Sequence, residues 1–119
     1  MNIIAWNIRG AKNKEGRRFL MDLCRRHKPE VLILVETYMM FDSTDLFWHR
    51  LGYKPVAVEE CHGQAGGIWC LAQVVSPLTF DVMDSCSQII TIAISKGDVK
   101  WALSDVYASP IPSIWEGLW

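Results

Sequence analysis

The chain has 119 residues, 50% of them hydrophobic, with a formal net charge of −1 and an isoelectric point near 6.3. That supply of apolar side chains suffices for one buried core, and the near-neutral balance excludes a polycation that coats nucleic acid along its whole length. No apolar run can span a bilayer and no basic segment leads into an apolar one, so a reducing nuclear or cytoplasmic setting is expected, neither secreted nor membrane-embedded.

Ile3, Ile4, Ala5 and Trp6 are consecutive and apolar, which predicts a strand over Met1–Asn7 with both faces covered. Arg9-Gly10 ends it, and the polar stretch to Lys14 reads as a loop. Asn13 is placed to cap a helix running to about His27, with Phe19, Leu20, Leu23 and Cys24 as its apolar stripe. Pro29 breaks that pattern, and Val31 to Val35 predict a second buried strand that ends at Glu36. A strand–helix–strand unit of this length predicts parallel pairing with a right-handed crossover. Ser43 or Thr44 is a candidate cap for a short helix carrying Leu46, Phe47 and Leu51, with Gly52 as its stop.

Beyond Tyr53 the texture turns to β. Strands are predicted over Lys54–Glu59, Gly67–Gln73, Leu78–Asp84, Gln88–Ser95 and Val99–Tyr107, the last two joined by a Lys96-Gly97-Asp98 hairpin turn. Ser113 and Glu116 have the spacing of a capping box, which predicts a helix opening at Ser113 with Ile114, Trp115, Leu118 and Trp119 on its apolar face. A helix that ends within its second turn is not stable alone. The expectation is therefore an interrupted domain that folds poorly or aggregates in isolation.

The chemistry concentrates at two strand ends. Parallel strands present ligands at their carboxyl ends, and Asn7 and Glu36 both occupy that position. By spacing alone, Glu36 is either an exposed carboxylate at a loop start or a ligand for a hard divalent cation, and Asn7 either bonds loop backbone or helps build that site. Arg9, Lys12, Lys14, Arg17, Arg18, Arg25, Arg26 and Lys28 cluster in one segment opposed only by Glu15 and Asp22. Such a patch is either a solvated helix face or a binder of phosphate backbone. Cys24, Cys61, Cys70 and Cys86 have neither disulfide-framework nor zinc spacing, and His27 and His62 do not supply it. They read as buried or incidental thiols. The glycines of Gly63-Gln64-Ala65-Gly66-Gly67 lead into a strand and read as turn residues.

Four motifs in order carry a resemblance. They are Ile4-Ala5-Trp6-Asn7-Ile8-Arg9-Gly10, the stretch from His27 through Glu36-Thr37, Gly66-Gly67-Ile68, and Val106-Tyr107-Ala108-Ser109-Pro110. Together they resemble the N-terminal half of the endonuclease/exonuclease/phosphatase superfamily, and the Trp-Asn-Ile-Arg-Gly opening is similar to plant LINE-type (non-LTR) retrotransposon endonucleases. The resemblance implies an α+β (α/β sandwich) class. The chain, residues 1–119, would then be part of a four-layer deoxyribonuclease I-like fold, a mixed sheet with two helices, truncated at its C-terminus.

The resemblance further implies that Glu36 and Asn7 hold Mg²⁺ (or Mn²⁺) and that Tyr107 contacts the scissile phosphate. Arg9, Lys12 and Lys14 would hold DNA. The implied reaction is in-line hydrolysis of a phosphodiester. The family's later Asp-x-Asn segment and closing Asp-His pair are absent from the sequence. A general base typically contributes ~10²–10⁴-fold in rate, so the expected activity is that of an incomplete site. The alternative is a non-catalytic retroelement remnant with at most weak nucleic-acid binding. Pro110 departs from the family's usual Asn, and Asp105 shares the strand face of Tyr107 without an implied role.

Overall fold

The computed structural model describes residues 2–60, 66–86 and 89–106. Strand β1 (Ile3–Asn7), helix α1 (Lys14–His27) and strand β2 (Val31–Val35) form the expected unit, and β1 pairs parallel with β2. Helix α1 is capped at one end by Asn13, whose side chain accepts from the amides of Glu15 and Gly16, and at the other by Lys28 in a left-handed conformation. Helix α2 (Leu46–Leu51) is capped by Asp45 rather than by Ser43 or Thr44, and Gly52 closes it as expected. Thr44 is taken up by Asp42, whose carboxylate accepts from both its amide and its hydroxyl.

Five strands follow: β3 (Tyr53–Glu59), β4 (Ile68–Gln73), β5 (Thr79–Cys86), β6 (Ile89–Lys96) and β7 (Val99–Val106). Each lies within two residues of its expected bounds. The first sheet has the order β1-β2-β4-β3 and the second β5-β6-β7. Because β4 runs antiparallel to both β2 and β3, the first sheet is mixed. Pro55 sits at a bulge in edge strand β3, where its missing amide hydrogen costs no ladder bond. The predicted helix from Ser113, and Tyr107 with it, lie outside the described residues.

Alternation sorts the core into two layers. Leu32, Leu34, Trp69 and Leu71 point toward the helices and pack with Leu20 and Cys24 of α1 and Trp48 of α2. Val31, Ile33, Ile68 and Cys70 point the other way and pack on Ile90, Ile92 and Ile94 of β6. Strand β2 is therefore covered on both faces, which is why its sequence is an unbroken apolar run. The described residues form helices on sheet on sheet. The outer face of the second sheet carries small or polar side chains such as Asp81, Thr91, Ala93, Ala102 and Ser104, all exposed or half-exposed.

Strand β3 packs on β5 and β4 on β6, and Ile3, Val35 and Leu103 of β7 all pack against the core cluster between the sheets. The strand orders then place the outer edges of β1 and β7 on one flank of the sandwich. Among the described residues, β1 pairs only with β2 and β7 only with β6.

Candidate active site at the parallel strand ends

The register pairs Asn7 with Val35, so Asn7 and Glu36 emerge at the same end of two adjacent parallel strands. The chain leaves β2 through a turn in which Glu36 (φ 55°) and Tyr38 (φ 51°) are both left-handed. Arg9 (φ 50°), on the facing loop, is left-handed too. Each such non-glycine residue costs on the order of 1–2 kcal/mol, so the surroundings must enforce the shape.

Two strips of backbone do so. From the β1–α1 loop, the amide of Ile8 donates to Val35 O (3.1 Å), that of Gly10 to Glu36 O (2.8 Å) and that of Ala11 to Thr37 O (2.9 Å). On the other side, the Glu36 amide donates to Gly67 O (3.0 Å) and the Tyr38 amide to Gly66 O (2.7 Å). Thr37 is fully buried, and its hydroxyl donates to Gly66 O at 3.2 Å. Gly66 is needed for its lack of a side chain: a Cβ there would lie 2.9 Å from Glu36 Cα and 2.9 Å from Tyr38 Cζ. The Gly66-Gly67 turn thus clamps the segment that carries Glu36.

Glu36 is half-buried, and the Tyr38 hydroxyl approaches its Oε1 at 3.4 Å. Asn7 is half-buried as well, and its Oδ1 accepts from the Arg9 amide at 3.1 Å. That bond is the loop-stabilising use of an asparagine, and it leaves a second lone pair on the oxygen. Asn7 also lines an open groove with Trp6, Arg9, Asn13, Glu15 and Phe19, between the end of β1 and the start of α1. Arg9 lines this groove and is exposed, and Lys12 in the loop and Lys14 at the start of α1 are exposed as well. Lys12 faces acidic neighbours. Asp42 has its carboxyl held below the usual range mainly by Thr44, and Asp45 mainly by Arg17, with Lys12 adding to both.

The basic segment is divided by the fold. Arg17 turns inward: its Nη2 lies 2.7 Å from Asp45 Oδ2, its Nε donates to Ala11 O at 2.6 Å, and its guanidinium stacks 4.7 Å above the Phe47 ring. Arg26 pairs with Asp22 one helical turn away. Arg17 therefore holds α1 to α2 and is withdrawn from any phosphate-binding surface. Tyr107, and the side chain of Asp105, lie outside the described residues. Tyr38 and Thr37 were not read as site residues from the sequence. The available signal was their place immediately after Glu36.

Among the described residues, no three His, Cys, Asp or Glu side chains converge as a metal-binding group. One carboxylate and one amide oxygen nevertheless suit Mg²⁺, which takes few protein ligands and keeps several waters. The donor set of Glu36 and Asn7 fits such an ion.

The fold has solved counterparts. The AP endonuclease LMAP from Leishmania major superposes with a TM-score of 0.62 at 19% identity, over 91% of this chain and 40% of that one. The endonuclease domain of TRAS1, a telomere-specific non-LTR retrotransposon, superposes with a TM-score of 0.59 at 17% identity, over 98% of this chain and 51% of that one. The catalytic domain of human Nocturnin gives 0.51 at 18% identity, over 87% and 48%. The fold is one half of a deoxyribonuclease I-like sandwich. No protein-family model and no curated protein sequence matches the chain. At these identities the likeness is one of fold alone. The chain spans about half the length of the structures it matches. This deoxyribonuclease I-like half contains both ends of the parallel strand pair, and with them Asn7 and Glu36.

Proposed function

We propose that this chain is the N-terminal half of a divalent-metal-dependent phosphodiester hydrolase of DNA endonuclease type, related to the LINE-type retrotransposon branch. The observation that carries the reading is the enforced left-handed turn that sets Glu36 beside Asn7 at the carboxyl end of β1 and β2. Glu36 and Asn7 are the residues that would hold Mg²⁺ or Mn²⁺. When bound, the ion supplies charge neutralisation at the scissile phosphate. Arg9 in the groove and Lys14 at the start of α1 bind and orient the DNA backbone, with Lys12 contributing less because Asp42 and Asp45 face it. Tyr107 contacts the phosphate in this reading. The base that activates water comes from the remainder of the fold, so the 119-residue chain binds without turning over efficiently.

A supercoiled-plasmid assay tests this in a chain extended by the second half of the fold. Glu36→Gln should reduce Mg²⁺-dependent nicking by at least about 10²-fold, with retardation of DNA in gels unchanged. Nicking that survives Glu36→Gln removes the assignment.

Asn7, whose Oδ1 is already used in the loop by the Arg9 amide, favours a second reading, a non-catalytic remnant. Its nucleic-acid binding would be weak and steeply salt-dependent through the exposed cations, and indifferent to both Glu36→Gln and Mg²⁺.

A further inference from the structure

We propose that Arg17 is a positioning residue: its guanidinium sets the β1–α1 loop against the turn that follows β2, and so fixes where Arg9 stands. The effect on DNA rests on the reading above, in which Arg9 binds the DNA backbone; the hold on the loop does not.

The loop is hydrogen-bonded on two sides. Its amides face the turn, Gly10 donating to Glu36 O at 2.8 Å and Ala11 to Thr37 O at 2.9 Å. Its other side meets α1, where Arg17 Nε donates to Ala11 O at 2.6 Å. Ala11 is thus held through both its N–H and its carbonyl, and it is fully buried. The guanidinium that holds it is itself fixed from two directions. Asp45 accepts from Nη1 at 3.4 Å and from Nη2 at 2.7 Å, and the ring centroids of Phe47 and Trp48 lie 4.7 and 5.5 Å from Cζ. A planar fork reaches a carboxylate and a carbonyl together, which the single ammonium of a lysine does not match. The chain on the other side of the fork has little freedom left. Ile8 is tied to Val35 O, Gly10 and Ala11 to the turn, and Arg9, left-handed at φ 50°, lies between them. A shift of Ala11 is therefore passed to Arg9. With its side chain only 20% exposed, Arg17 acts on DNA through Arg9 and not by contact.

The test compares the 119-residue chain with its Arg17→Lys variant, which keeps the charge and gives up the fork. Amide hydrogen exchange followed by NMR should show Gly10 and Ala11 accelerated about tenfold or more, the worth of a charge-assisted hydrogen bond. The amides of β2 and β4 should change far less. Loop amides that keep their parent rates, or a uniform acceleration along the chain, overturn the proposal. If Arg17→Lys does not fold, Asp45→Asn takes its place, because it removes the charge that orients the guanidinium and keeps the cap of α2. The same two amides should then respond, and the same outcomes overturn. Retardation of a short DNA duplex in gels gives the functional readout. Arg17→Lys should weaken binding about fivefold in the parent and leave it unchanged in an Arg9→Ala background, the non-additivity of residues that act through one another. Equal losses in both backgrounds overturn the route through Arg9. If the parent retards no DNA, the DNA-binding reading falls, and the exchange rates still decide whether Arg17 sets the loop.

Discussion

At the scale of single residues, the site depends on close approach. Gly66 is indispensable for space alone, so Gly66→Ala must displace either Glu36 or Tyr38. We expect a loss of about 1–3 kcal/mol, read from urea midpoints, with Gly66→Ser no better. Tyr53 makes a different prediction. Burial pushes its phenol up to about 12 from an ordinary value of 10.0, and its hydroxyl donates to Pro29 O at 2.5 Å. The fold favours the neutral phenol, so its contribution is complete below pH ~10 and is lost as pH rises toward ~12. Urea midpoints should fall across that window in the parent, and Tyr53→Phe should flatten that part of the profile. Glu36 and Asn7 were legible as strand-end residues because apolar runs end on them. The Tyr38–Gly66 contact was not, because it joins residues 28 apart in sequence through a turn whose handedness no local pattern signals.

At the scale of elements, Asp45 shows why the cap of α2 was misplaced. Ser43, Thr44 and Asp45 are all competent caps by type. Asp45 takes the position because one carboxylate meets two demands, accepting from the Phe47 amide at 3.0 Å and from Arg17 Nη2 at 2.7 Å. The second partner comes from α1, beyond the reach of a local reading. Asp45→Ala should cost about 2–3 kcal/mol, the cap together with a partly buried arginine left without its carboxylate. Asp45→Asn should retain most of the cap. Because Arg17 lowers the Asp45 carboxyl, its stabilisation is present above the unfolded carboxylate value and is lost as pH falls through the folded one. The gap between parent and Asp45→Asn in thermal melts should therefore close on acidification. The strands were legible as elements, but their order was not. Nothing in the alternation of β4 states that it lies between β2 and β3.

At the scale of the whole molecule, β1 and β7 each have an edge without a strand partner among the described residues, both on one flank, and β7 presents half-exposed Trp101 and Val99 near it. Unpaired edges beside apolar side chains recruit other strands. We expect the 119-residue chain to self-associate in the micromolar range, measured by sedimentation velocity, and Trp101→Lys to shift it toward monomer. A chain that stays monomeric and melts sharply at high concentration would contradict this. The class, two helices on a two-sheet sandwich, was legible only through the resemblance carried by the four motifs; the residue patterns by themselves yielded the strand–helix–strand unit and five short strands. The matching of β3 to β5 and β4 to β6 arises only from tertiary packing, and with it the location of that flank.

The insertion of β4 between β2 and β3 also imposes a timetable. The β1–α1–β2 unit can close early through contacts near in sequence, whereas β3 has no partner in the sheet until β4 has docked on β2. Residues 66 and 67, which shape the turn carrying Glu36, lead directly into β4. The carboxylate would then acquire its orientation in the same event that admits the last strand to the first sheet. In kinetic terms, substitutions at Gly66 should accelerate unfolding and leave the folding rate nearly untouched, so that the site is the last part of this half to assemble and the first to be lost.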